Sequence, residues 1–266
     1  MYCILVSGIP ASGKTVLAEY LSASLHIPVV SKDKIKEILF DTIGFRSRTE
    51  KVALGTGAME TMYYFAGQMM RTGQPFLLEN NFENVSRPGI QSLLEKYGYQ
   101  AVTVRLTGDY NVLFNRMIER NNSPDRHKGH IVNDYYQKPE IKLETNLKAK
   151  ANPVTNLKTK PEASPETNSK ANPEINQKTK PEANPVTNPK TKPEANPEIN
   201  PKTNPEINIQ PVLTQEEFIR GITERGMVEF QLPGPVMEID TTDFSKVDLR
   251  HVTEELRNII SDLKLQ

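Results

Sequence analysis

Apolar positions in this chain recur with regular spacing at both ends, and the two ends are separated by a long stretch with no such rhythm. At the start, MYCILV is an unbroken apolar run that predicts a buried strand. The segment VLAEYLSASL follows, with Leu17, Ala18, Leu21 and Leu25 on one helical face. IPVVSKDKIKEILF predicts a short strand at 28–30 and a helix opening near Asp33, which is a candidate cap for that helix. Residues 50–71 predict a long helix whose METMYYFAGQMM centre serves packing, and Gly73-Gln74-Pro75 ends it. PFLLENN is a third strand. SRPGIQSLLEKYGY is a helix stopped by Gly98, and AVTVRLTG is a fourth strand rich in β-branched residues. Asp109 caps DYNVLFNRMIER, which runs out into the polar loop NNSPDRHKGH, expected to be mobile.

Beyond the break, Thr214 and Glu217 form a capping box at the head of VLTQEEFIRGITERG. VMEIDTTD is a fifth strand, expected to be as buried as the first four. In the last helix Leu249, Val252, Leu256, Ile259, Ile260 and Leu263 fall at helical spacing. About 55 residues holding one strand between two helices cannot cover both faces of that strand unaided, so the strand must join a sheet built elsewhere.

The break explains the separation. Residues 139–211 hold 13 of the 20 prolines, 11 Lys and 9 Glu, with no Gly, Asp, Arg or aromatic residue, in units resembling KTKPEANPEINP. Proline at that density blocks helix and central strand, so an extended, disordered insertion over 139–210 is expected. This leaves 1–138 and 211–266 as one discontinuous domain. Flexible inserts are tolerated because closing them costs only about 0.6 kcal/mol per doubling of length. Capture of a protein partner is one role open to the repeat, with spacing and solubility as others. Outside it, 22 basic residues meet 24 acidic ones, which argues against a long nucleic-acid track. One cysteine, Cys3, excludes an internal disulfide, and no apolar run is long enough for a membrane span, so a cytoplasmic protein is expected.

The chemistry is concentrated where the first strand meets the first helix. GIPASGKT is G-x-x-x-x-G-K-T, a pattern that chance supplies in roughly one chain in a hundred of this length. Gly8 and Gly13 let the loop, with Ala11 and Ser12 between them, turn its N–H groups onto phosphate oxygens. Lys14 reaches the β- and γ-phosphates, and the Thr15 hydroxyl completes a Mg²⁺ shell. ATP and Mg²⁺ are the cofactors this implies. Asp33 stands at the carboxyl end of the neighbouring strand, where an open sheet keeps its ligand crevice, and can take the proton of an attacking hydroxyl. Lys36, one turn later, can hold an anionic substrate group. Glu79 and Asn81 end the third strand, with Glu79 in the place of a metal-steering acid. Arg116 and Arg120 share a helical stripe leading to Arg126, a set suited to a lid that clamps phosphates. Arg46 and Arg48 are expected to face the acceptor, whereas His127 and His130 lack a third ligand for a metal.

In order, GIPASGKT, the Asp33–Lys36 element, LLENN, the Arg116/Arg120 helix and EIDTTD resemble the small P-loop kinases. The group is the AAA-type kinases similar to phage polynucleotide kinase, gluconate kinase and zeta-toxin-like enzymes. The resemblance spans 1–138 and 211–266. It implies an α/β three-layer sandwich on a parallel sheet of order 2-3-1-4-5, and an ATP-dependent kinase acting on a hydroxyl. It also implies Asp33 as base or hydroxyl ligand within a D-x-x-R element whose Arg is Lys36 here, and Arg116 and Arg120 as lid residues. Where the family has Asp at the third strand's end, this chain has Glu79. A polynucleotide 5′-hydroxyl kinase, a toxin acting on a sugar nucleotide, and a non-catalytic ATP-binding switch are the rival readings.

Overall fold

A computed structural model describes residues 1–139 and 213–265. The expectations for the repeat lie outside the described residues. Five strands make one parallel sheet: β1 (Tyr2–Gly8), β2 (Val29–Ser31), β3 (Phe76–Glu79), β4 (Gln100–Thr107) and β5 (Val236–Asp240), in the order β2-β3-β1-β4-β5.

The period-two alternation of β1 divides the core. Ile4 and Val6 point to one face, where α1 (Lys14–Leu25) and α8 (Leu249–Leu265) bury Leu17, Leu21, Val252, Leu256 and Ile260. Cys3 and Leu5 point to the other, against Met62, Ala66 and Met70 of α3 (Arg48–Arg71) and Ile90 and Leu94 of α4 (Arg87–Tyr97). Both faces of the central strands are therefore covered, which is why they read as unbroken apolar runs. Burial drives the Cys3 thiol's pKa up to about 12 and keeps it inert.

The fifth strand departs from expectation. Met237 and Ile239 are buried, but Glu238 is exposed, because β5 is an edge with only one covered face. It pairs with β4 from Thr103↔Val236 to Thr107↔Asp240, and Arg105 of β4 reaches Glu238 at 2.7 Å and the Phe230 carbonyl at 2.6 Å. Helix α7 (Gln215–Glu224) opens on the complete Thr214/Glu217 capping box and packs Phe218 and Ile222 against Leu113 of α5 (Tyr110–Asn122). Asp109 caps α5, and left-handed Gly98 ends α4. Among the described residues no helix is long and apolar enough to cross a membrane.

Candidate active site

The carboxyl ends of β1, β2 and β3 stand level, with Val6 and Ser31 both opposite Glu79. Above them lies a crevice of about 610 Å³. Its floor is the loop after β1. Gly8 has φ 134°, and a Cβ there would lie 2.1 Å from the Leu106 carbonyl oxygen, so β1 can turn beside β4 only as glycine. Ala11 and Gly13 are also left-handed, and α1 begins without any side-chain cap. Holding Ala11 in that conformation costs about 1 kcal/mol, the kind of strain found where backbone N–H groups are gathered for an anion. Gly13 lies against the Phe244 ring, 2.4 Å from where a Cβ would stand. The buried Ser12 Oγ has no hydrogen-bond partner among the described residues. An uncapped helix end, a left-handed loop and an orphaned hydroxyl fit a polyphosphate.

Lys14 is buried, and its Nζ donates to the Ile9 carbonyl at 2.7 Å. Burial lowers its pKa to about 8, partly offset by Glu79 and Asp33. Glu79, also buried, accepts a hydrogen bond from Ser31 Oγ; burial raises its pKa, against the pull of Ser31 and Lys14. Thr15 lines the same crevice. A hydroxyl and a carboxylate are an all-oxygen donor pair, which fits a hard cation such as Mg²⁺.

Asp33 is not the cap of the second helix. That helix, α2 (Lys32–Ile43), is capped by Ser31, whose Oγ faces the Lys34 N–H, so the Asp33 carboxylate is left for the crevice. Burial works to raise its pKa, but His130, Lys32, Lys36 and Lys14 outweigh it and hold the group below the ordinary aspartate value. Asp33 is therefore ionised near neutrality. Lys36, Asn81 and Arg120 line the crevice too, and Arg120 acts electrostatically on Lys14 and Glu79.

Three expected residues stand differently. Arg116 lines the crevice but spends two donors on the Thr241 and Thr242 carbonyls, at 2.6 and 2.8 Å, and so ties α5 to the turn after β5. Arg46 lies outside the crevice, on a separate cavity with Phe45, Tyr135 and Tyr136, because the Phe45–Tyr136 bridge turns the chain there. Arg48 likewise lies outside it and donates to Asn133 at 2.7 Å.

The polar loop after α5 contacts α2. It holds the short helix α6 (Lys128–Ile131), seated on α2 with Gly129 against the Phe40 ring. His127 bonds Asp41 at 3.0 Å and His130 bonds Glu37 at 3.1 Å, so both imidazoles pair with carboxylates of α2. Lys51 of α3 donates to the backbone carbonyls of His130 and Val132 and to Asn133.

Sequence reasoning passed over Ser31, Lys51 and Arg225, and weighed His130 only as a metal ligand. Arg225 lines the crevice from beyond the repeat and pairs with Glu83 at 3.2 Å. No local pattern marks Lys51, Arg225 or the pairing of His130, because their partners lie on different elements, whereas a serine just ahead of α2 is a local cap signal that could have found Ser31.

Residues 3–138, just over half of the chain, match a family described as an AAA domain. The chain belongs to the AAA domain family. The curated proteins yield no match. Among solved structures, a candidate kinase from Chloroflexus aurantiacus is similar in fold at 20% identity and a TM-score of 0.60, with 97% of each chain covered. A gluconokinase from Sinorhizobium meliloti aligns at 18% identity and a TM-score of 0.33 over 53% of this chain and 78% of its own. A structure from the PezAT toxin–antitoxin system of Streptococcus pneumoniae aligns at 16% identity and a TM-score of 0.37, over 45% of this chain and 52% of its own. For this AAA-domain chain the likeness that carries weight is one of fold: a P-loop sheet with its crevice at the strand ends.

Proposed function

We propose that this AAA-domain protein is a cytoplasmic, Mg²⁺-dependent kinase that transfers the γ-phosphoryl group of ATP to a hydroxyl of a small molecule or a nucleic-acid end. The observation that carries the reading is that Lys14 and an ionised Asp33 share one crevice at the carboxyl edge of the sheet. Loop N–H groups and Lys14 bind the phosphates, and Arg120 adds charge over them. Thr15 and Glu79 would hold Mg²⁺, which when bound offsets the negative charge of the phosphate oxygens.

Asp33 accepts a hydrogen bond from the acceptor hydroxyl and so aims its oxygen at the γ-phosphorus. As the new O–P bond forms and the bond to ADP breaks, the hydroxyl proton passes to the carboxylate. A group held below the ordinary aspartate pKa takes that proton late, so its main part is orientation. Arg116 serves the site by fixing α5.

Incubation with γ-labelled ATP and a panel of sugars, sugar acids, nucleotides and oligonucleotides tests this. Label is expected on one acceptor class and is lost in Asp33→Ala, with nucleotide affinity kept. Tight nucleotide binding with no labelled acceptor would instead favour the regulatory switch. Label confined to oligonucleotide 5′ ends would select the polynucleotide kinase.

A further inference from the structure

Among the described residues, Arg225 is the only one from beyond the repeat that lines the crevice, and the phosphate contacts given to Lys14, Arg120 and the loop leave it without a part. It follows α7 directly. Ile222, in the last turn of that helix, and Met227, just past it, pack with Leu113 of α5 around Ile9 of the phosphate loop. Ile9 precedes Pro10, which lines the crevice, and the Ile9 carbonyl accepts the Lys14 ammonium. The neighbours of Arg225 thus hold it beside the phosphate loop. Arg126, by contrast, lines the crevice from a segment fastened to α2 through His127 and Asp41.

A second set of contacts ties the same turn to the loop after β3. The Asn84 N–H donates to the Arg225 carbonyl at 2.9 Å, and the Phe230 ring stacks on Phe82 at 5.3 Å between centres. Gly226 takes φ 63°, a left-handed turn that glycine adopts freely, with Asn84 packed against it. The backbone is fixed on both sides, yet the side chain is lightly held. Its Nη1 donates to Glu83 at 3.2 Å, the one side-chain hydrogen bond it has among the described residues, and it is 56% exposed. The Nη2 lies by the bare backbone of Gly221, 3.6 Å from where a Cβ would stand. Ion pairs this exposed contribute little, so Glu83 yields to a stronger acceptor. The fork of guanidinium donors suits phosphate oxygens.

Position decides which phosphate that is. The inner phosphates belong to the loop backbone and the head of α1, with Lys14 reaching outward to the β- and γ-phosphates. Glu83 stands four residues past Glu79, on the side of the crevice where Glu79 and Asp33 gather. An arginine paired there faces the terminal phosphate. We propose that Arg225 exchanges Glu83 for the γ-phosphoryl group of ATP, so that the segment after the repeat completes the phosphate site begun by the loop after β1. The proposal rests on the nucleotide half of the kinase reading and not on transfer to an acceptor.

Calorimetry on the full-length protein with Mg²⁺ tests it by comparing ADP with a non-hydrolysable ATP analogue. Arg225→Gln is expected to weaken the analogue by about tenfold and to leave ADP unchanged. Its Tm should stay close to that of wild type, since the replaced side chain is exposed. Glu83→Gln, which frees the arginine, should raise the ratio of analogue affinity to ADP affinity, and should leave that ratio unchanged when Arg225→Gln is already present. The proposal is overturned if Arg225→Gln weakens both nucleotides equally or neither. It is also overturned if Glu83→Gln shifts the ratio without the arginine. Should Arg225→Gln fail to fold, the Glu83→Gln ratio in the otherwise wild-type chain decides, and an unchanged ratio overturns the proposal. No phosphoryl transfer is measured, so a γ-specific contact in a protein that labels no acceptor would refute the kinase and leave this contact standing.

Discussion

At the scale of single residues the site is governed by burial of charge. Lys14 carries a pKa near 8 because burial disfavours its ammonium form. Phosphates bind the ammonium, so above pH 8 the free protein must take up a proton to bind nucleotide. Affinity is expected to fall by about tenfold per pH unit above that value. Calorimetry at pH 9 in buffers of different ionisation enthalpy should show net proton uptake, and Lys14→Met should show neither the binding nor the uptake. Lys14 was legible because its whole environment is local: a loop whose spacing encodes the turn. Arg116 was not, because its acceptors, the Thr241 and Thr242 carbonyls, lie 125 and 126 residues away in sequence. A helical stripe of two arginines looks the same whether it faces a ligand or a neighbouring turn.

Elements show the same divide. Thr214 with Glu217, Asp109 and Gly98 act within one turn of their own helices, and each works as its sequence signature suggests. The docking of α6 had no such signature, since it depends on Phe40, Asp41 and Glu37 of α2 and on Lys51 of α3. The fit at Gly129 is tight enough to test. A Cβ there would stand 2.3 Å from the Phe40 ring, so Gly129→Val should destabilise the fold by about 1–3 kcal/mol in urea titration.

His130 reports on the same docking. Burial, Arg126 and Lys36 lower its pKa to about 4, against the opposing pull of Asp33 and Glu37. An unfolded imidazole titrates near 6.5, so between these values the unfolded chain binds more protons. Stability contributed by the neutral ring is complete above pH 6.5 and is lost as pH falls toward 4. In NMR titrations the His130 ring should move back toward 6.5 in Lys51→Met. An unchanged His130 would show that Lys51 does not hold the segment.

For the whole molecule the informative feature is where the last strand goes. Residues from beyond the repeat supply β5, the Phe244 ring against Gly13, the carbonyls that hold Arg116, and Arg225 in the crevice. The need of a lone strand for a sheet was readable from the apolar pattern of 236–240. Its one-sided exposure was not, because an edge is a property of the assembled sheet. Deletion of residues 145–208 should leave nucleotide binding and Tm close to those of the full chain. A chain ending at Lys138 should be insoluble or unfolded by circular dichroism, for it lacks the cover that β5 and α8 give to β4 and α1. A soluble, nucleotide-binding 1–138 fragment would contradict the single discontinuous domain.

Phosphoryl transfer itself is tested most directly by stoichiometry. With ATP, Mg²⁺ and the acceptor class picked out by labelling, ADP and phosphorylated acceptor should appear one for one, with inorganic phosphate a trace. Asp33→Ala should remove the product while ATP still binds. ADP accompanied only by inorganic phosphate, or no ADP at all with every acceptor, would contradict the kinase.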